Sequence, residues 1–151
     1  MTYQACYLPK APGYNQVLEV MFHNKKLFDG GLIWFHLRPC LQKHTETLTA
    51  SLRKTGEQKT VCILVATSGD TGKAALEGFR DVDRTKILVF YPDGGVSEMQ
   101  KLQMVTQEGK NVGVCAVRGN FDDAQTGVKR IFSDAQLRET LASRGYFLSS
   151  A

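Results

Sequence analysis

The sequence predicts an α/β fold, a Rossmann-like parallel sheet with flanking helices, and three observations predict it. From Thr60 onward, short apolar runs alternate with segments of helical length. The runs are continuous and rich in β-branched residues, as in strands covered on both faces. The segments between them are long enough to carry the chain back across a sheet, which parallel pairing requires.

Each element follows in order. VLEVMF, 17–22, reads as a strand and LIWFHL, 32–37, as a second apolar run, with FDGG, 28–31, as a turn between them. Pro39 bars a helix from passing smoothly through it. Trp34, among Leu32, Ile33 and Phe35, is most simply core. Residues 1–40 are read as an N-terminal segment of unassigned fold, and 41–151 as the α/β domain. LQKHTETLTASLRKTGE, 41–57, places Leu41, Leu48 and Leu52 on one helical face and ends at Gly56, a suitable C-cap. TVCILVA, 60–66, KILVFY, 86–91, and NVGVCAV, 111–117, are the strands; TGKAALEGFR, 71–80, and SEMQKLQMVTQ, 97–107, are crossover helices. Ser97 followed by Gln100 matches a capping box, with Met99, Leu102 and Val105 recurring along one side. In FDDAQTGVKRIF the apolar stripe is Phe121, Ala124, Val128, Ile131 and Phe132. Asn120 is its expected N-cap, with Asp122 and Asp123 in the first turn and Lys129 and Arg130 near the last, matching the helix dipole. Gly78 and Gly127 each weaken their helices by about 1 kcal/mol relative to Ala.

Composition narrows the function classes. The 151 residues are 42% hydrophobic and 23% charged, near the averages of globular domains. No apolar stretch has the length of a membrane span, so no membrane partner is expected. The net charge of +4 is dispersed among acidic residues. Without a basic block, nucleic acid is not an expected partner. Cys6, Cys40, Cys62 and Cys115 form no Cys-x-x-Cys pair and no metal-ligand cluster with His23, His36 or His44. Reduced thiols, and a start (MTYQACYLPK) without a signal-peptide core, place the protein in the cytoplasm by expectation.

The chemistry concentrates in VATSGDTGKAALEGF, 65–79. A strand that ends in a glycine turn opening a helix aims backbone N–H groups and the positive helix end at one spot. Ser68, Gly69, Asp70, Thr71 and Gly72 would build such a nest for a carboxylate or phosphate, at the carboxyl edge where open α/β sheets bind ligands. The competing reading is an ordinary βα turn in which Ser68 or Asp70 only caps the helix. A dinucleotide or Walker site is disfavoured, since Thr67 to Lys73 lacks both spacings.

Three segments in order, ATSGDTGKAALEGF, VFYPDGGVSEMQKLQM and QEGKNVGVCAVRGNFDDAQTGVKRIF, closely resemble the small-domain region of threonine synthase. The resemblance runs from Thr60 to about Ala151 and more loosely over 41–57. It implies the tryptophan-synthase-β-like architecture of fold type II pyridoxal phosphate enzymes. It further implies a lyase that converts O-phosphohomoserine and water to threonine and phosphate. By that resemblance Ser68, Gly69, Thr71 and Gly72 bind the substrate's carboxylate, and Asp70 faces the hydroxyl side of the cofactor ring. Tyr91 to Ser97 and Gly119 to Asp123 are also family marks; structural roles, a βα turn and a helix cap, are expected for them first.

The sequence also departs from the family. The His-Gly-Pro-Thr-x-x-Phe-Lys-Asp stretch that carries the cofactor lysine is absent. Its nearest echo, Phe22 to Asp29, has no lysine between Phe28 and Asp29, and Lys25 and Lys26 are expected to be surface charges. FDGGL, 28–32, aligns instead with an Asp-Gly-Gly-Leu element near the family's start. LSSA, 148–151, resembles the start of a Ser-Ala-Asn-Ser-Ile-Asn element, and the glycine-rich phosphate cradle that follows it in the family is not found. The reading is therefore a fragment or degenerate relative of threonine synthase that bears one wall of the site and is inactive alone. It allows self-association through surface that a longer chain would cover. The alternative is a non-catalytic Rossmann-like module binding an anionic metabolite or a protein partner.

Overall fold

The computed structural model describes residues 3–5, 43 and 45–150. The expected strand at 17–22, the run at 32–37, Trp34, and Lys25 and Lys26 lie outside the described residues. The elements are β1 (Tyr3–Ala5), α1 (45–55), β2 (Thr60–Ala66), α2 (Asp70–Phe79), β3 (Thr85–Pro92), α3 (Glu98–Val105), β4 (Val112–Val117), α4 (Phe121–Ser133), α5 (Ala135–Ser143) and β5 (Tyr146–Ser150).

One five-stranded sheet runs β1-β4-β3-β2-β5. Four strands are parallel, and β1 pairs antiparallel with β4, Tyr3 opposite Val117. β2 lies between β3 and β5, with Val61 opposite both Thr85 and Phe147. A strand paired on both sides and covered on both faces has no solvent-facing row, which is why TVCILVA is apolar without interruption. Its alternate side chains serve two cores. Val61, Ile63 and Val65 pack with Leu52 of α1, Leu76 and Phe79 of α2 and Met104 of α3; Leu64 packs with Phe90, Cys115, Ala124 and Val128, on the face covered by α4.

Helix ends obey local chemistry. Gly56, just after α1, adopts φ +66, the left-handed turn expected of a C-cap glycine. Ser97 and Gln100 complete the expected capping box of α3, and Asn120 and Asp123 complete another at α4. In α4 the expected stripe enters the core at Ala124 and Val128, with Ile131 and Phe132 packed beside it, while Phe121 stays 36% exposed. Gly127 is buried in the same helix, and the carbonyl of Gly78 accepts the Thr45 hydroxyl at 3.1 Å. The stripe expected on α3 is corrected. Met99, Leu102 and Val105 are only half-buried, and Met104 enters the core, because α3 leans on α2 and offers the sheet little but its last turn.

At the amino edge, Asn111 donates to the carbonyls of Phe79 (2.8 Å) and Thr85 (3.2 Å) and accepts from the N–H of Asp81 (2.8 Å). These bonds fasten the loops below the sheet and leave the opposite, carboxyl edge to the turns after β2, β3 and β4.

Candidate functional site

The path of the chain selects one point on that edge. It steps from β2 to β3 to β4 and then returns past β2 to β5. The reversal between β2 and β5 is a topological switch point, the crevice in which open α/β sheets hold ligands. The first turn to leave it is Thr67-Ser68-Gly69, opening α2 at Asp70.

The turn is organised from inside by Thr67. Its side chain is 2% exposed; its Oγ1 accepts the N–H of Gly69 (3.0 Å) and of Gly72 (2.9 Å) and donates to the carbonyl of Gly69 (3.1 Å). Both glycines are sterically required. A Cβ on Gly72 would stand 2.4 Å from Thr67 Cγ2, and Gly69 has φ +149, a conformation that side chains disfavour.

This geometry revises the expected nest. Gly69 and Gly72 do not aim their N–H groups at a ligand, because the Thr67 hydroxyl occupies both. The expected cap by Ser68 or Asp70 also fails, since the N-cap of α2 is Gly69 and it is the Thr67 hydroxyl that accepts the N–H of Gly72 in the first turn. What remains are the N–H groups of Ser68, Asp70 and Thr71, which meet no acceptor among the described residues. Ser68 and Thr71 are exposed, so their hydroxyls are available beside those amides. Asp70 is half-buried, and its Oδ1 accepts from Gln100 Nε2 at 3.1 Å. Sequence reasoning missed both Thr67 and Gln100. The capping-box spacing did mark Gln100, but nothing local links it to a carboxylate thirty positions earlier.

The other carboxyl-edge turns have the structural roles expected of them. After β3, the N–H of Asp93 bonds the carbonyl of Val117 at 2.8 Å and that of Gly95 bonds Pro92 at 3.0 Å. After β4, Gly119 (φ +144) lies against the Asp123 carboxylate that closes the α4 box. Lys73, one turn into α2, is not a free amine. Its Nζ donates to Gln107 and pairs with Glu77 at 3.5 Å, and burial holds its ammonium below the ordinary range against the opposing pull of Glu77. No group of three or more metal-ligating side chains occurs among the described residues, and no described helix is long and apolar enough to cross a membrane.

A sheet of this order, four of its five strands parallel, belongs to the open α/β class, in which ligands bind at such a reversal. Within that class the chain is related, over part of its length, to the threonine synthases. It is 49% identical over 83 residues, 55% of this chain, to threonine synthase of Pseudomonas aeruginosa. It is 42% identical over 95 residues, 59% of this chain, to threonine synthase-like 1 of Mus musculus. A crystal structure of PLP-bound threonine synthase from Brucella melitensis superposes with a TM-score of 0.63 at 36% identity, over 74% of this chain and 22% of that one. The matched region spans 17% and 13% of the two curated relatives. No family model matches the chain. These relatives favour the threonine synthase reading over a non-catalytic module.

The residues present fit one edge of the cofactor–substrate pair. Three amides without an acceptor among the described residues and two small hydroxyls suit a carboxylate, while the space beside the Gly69 Cα is taken by the Gln100 side chain. Among the described residues, the lysine nearest the turn in sequence, Lys73, is committed to Glu77 and Gln107.

Proposed function

We propose that this chain forms the substrate-carboxylate wall of a threonine synthase, which converts O-phosphohomoserine and water to threonine and phosphate in the cytoplasm. The observation that supports it most is the coincidence of two independent facts: relatives of that name, and a turn at the switch point whose Ser68, Asp70 and Thr71 amides meet no acceptor among the described residues. Pyridoxal phosphate, when bound, draws electron density from the substrate's α-carbon.

The chain's own residues do the positioning. The amides of Ser68, Asp70 and Thr71, helped by the positive end of α2, hold the α-carboxylate; the Ser68 and Thr71 hydroxyls complete its hydrogen bonds. Fixing that carboxylate fixes the direction of the Cα–H bond, a gain in orientation rather than in binding alone. Asp70, one of whose oxygens is held by Gln100, would meet the hydroxyl side of the ring with the other. Gly69 and Gly72 hold the turn's shape.

The test is an amide-proton NMR titration of the 151-residue chain with pyridoxal phosphate and with L-homoserine phosphate. The expected result is saturable shifts at Ser68, Asp70 and Thr71, weakened when Ser68→Ala and Thr71→Ala are combined. Shifts confined to other loops, or none at millimolar ligand, would overturn the assignment.

A further inference from the structure

We propose that Gln100 is a positioning residue: it clamps the Ser68–Thr71 turn from outside by holding the Asp70 carboxylate, as Thr67 clamps it from inside. The inference rests on the reading that this turn receives the ligand, and it adds a residue from a different helix to the site.

The first observation is that Gln100 does more than its cap requires. Its N–H donates to Ser97 Oγ at 3.2 Å and its Oε1 accepts the N–H of Ser97 at 3.1 Å, which completes the capping box. Glutamate would serve that box equally well and would suit the positive end of α3 better. Only a carboxamide has a nitrogen left over, and that nitrogen donates to Asp70 Oδ1 at 3.1 Å. The choice of Gln at this position is thus explained by the second contact.

The second observation comes from the turn. A Cβ on Gly69 would lie 2.4 Å from Gln100 Nε2 and 2.6 Å from its Cδ. The carboxamide therefore rests directly on the Gly69 backbone, and glycine there serves the contact as well as the φ of +149. Together, Thr67 below and Gln100 beside the turn leave the N–H groups of Ser68, Asp70 and Thr71 without an acceptor among the described residues. They also couple the turn after β2 to the turn after β3, so that neither can shift alone.

Two substitutions separate this role from capping. Gln100→Glu keeps the box but sets a second carboxylate against Asp70. Adding Asp70→Asn restores a donor and an acceptor with their sides exchanged. Amide hydrogen exchange of the ligand-free chain reads the clamp at Gly69 and Gly72, whose N–H groups are held by Thr67. In Gln100→Glu their exchange should accelerate at least about tenfold, the loss expected of one hydrogen bond to a charged group. The Lys101 N–H, bonded to Ser97 within the α3 cap, should be unchanged. The double variant should recover most of the wild-type rate. Unchanged Gly69 and Gly72 exchange in Gln100→Glu, or no recovery in the double variant, would overturn the clamp. A wild-type chain whose turn ignores pyridoxal phosphate would instead overturn the ligand reading and leave the exchange result standing.

Discussion

A single hydroxyl decides what the SGDTG turn can bind. Thr67 is buried, and its Oγ1 makes three hydrogen bonds within the turn, two as acceptor. Valine has nearly the same shape and no hydroxyl, so Thr67→Val leaves the Gly69 N–H without an acceptor, whereas Gly72 keeps the Gly69 carbonyl at 3.0 Å. The expected loss is about 1–3 kcal/mol, the cost of one unsatisfied buried donor, and Thr67→Ser should regain most of it. Urea unfolding checks this through the midpoint at constant slope. A loss below about 0.5 kcal/mol, the range of neutral surface changes, would show that water or a rearranged turn takes the hydroxyl's place. The sequence singled out Ser68 to Gly72 and passed over the threonine before them. Residue type alone could not say which hydroxyl points inward, because that depends on where β2 ends relative to Val89 and the packing of Gly72.

Between elements, the α2–α3 contact carries a titratable link. Lys73 joins α2 to Gln107 beyond the end of α3, and burial lowers its pKa from the ordinary 10.5 despite Glu77 nearby. In the window between the lowered value and 10.5 the unfolded chain binds more protons than the folded one, so Lys73 makes stability rise with pH there. Burial raises the pKa of Cys62, against the pull of Lys86, and gives the opposite slope. Both wild type and Lys73→Met carry Cys62, so its effect cancels in their difference. Wild type should therefore gain on Lys73→Met as pH rises toward 10.5, and denaturation at a series of pH values measures it; parallel curves would contradict it. Sequence patterning found α1 to α4 and β2 to β4 to within a few residues, since strongly periodic segments carry their own signal. It missed β1, three residues long, and also α5 and β5. No residue of α5 is buried, so it has no apolar stripe to read, and β5 is five residues long.

For the molecule as a whole, the two cores share β2 and β3, so damage on one face should be felt on both. Phe79 is fully buried among Val61, Leu76 and Ile87. Phe79→Ala should cost about 3–5 kcal/mol, a large part of a typical domain stability. Loss of helix signal and of aromatic near-ultraviolet signal should coincide along the denaturant axis, as for one cooperative unit. Two separated transitions would mean that the α4 face folds independently of the α1–α2 face.

Taken alone, the sequence determined the parallel α/β class, the helix caps at Asn120 and Ser97, and the turn on which the chemistry falls. Each is written in local spacing: continuous apolar runs, a Ser or Asn three residues before its partner, glycines at a strand end. Tertiary structure alone decided that β5 joins the sheet beside β2, which creates the switch point. It also turned two of the expected amides inward to Thr67 and brought Gln100 onto Asp70. Those outcomes depend on groups far apart in sequence meeting across a packed sheet, and no local pattern encodes such a meeting.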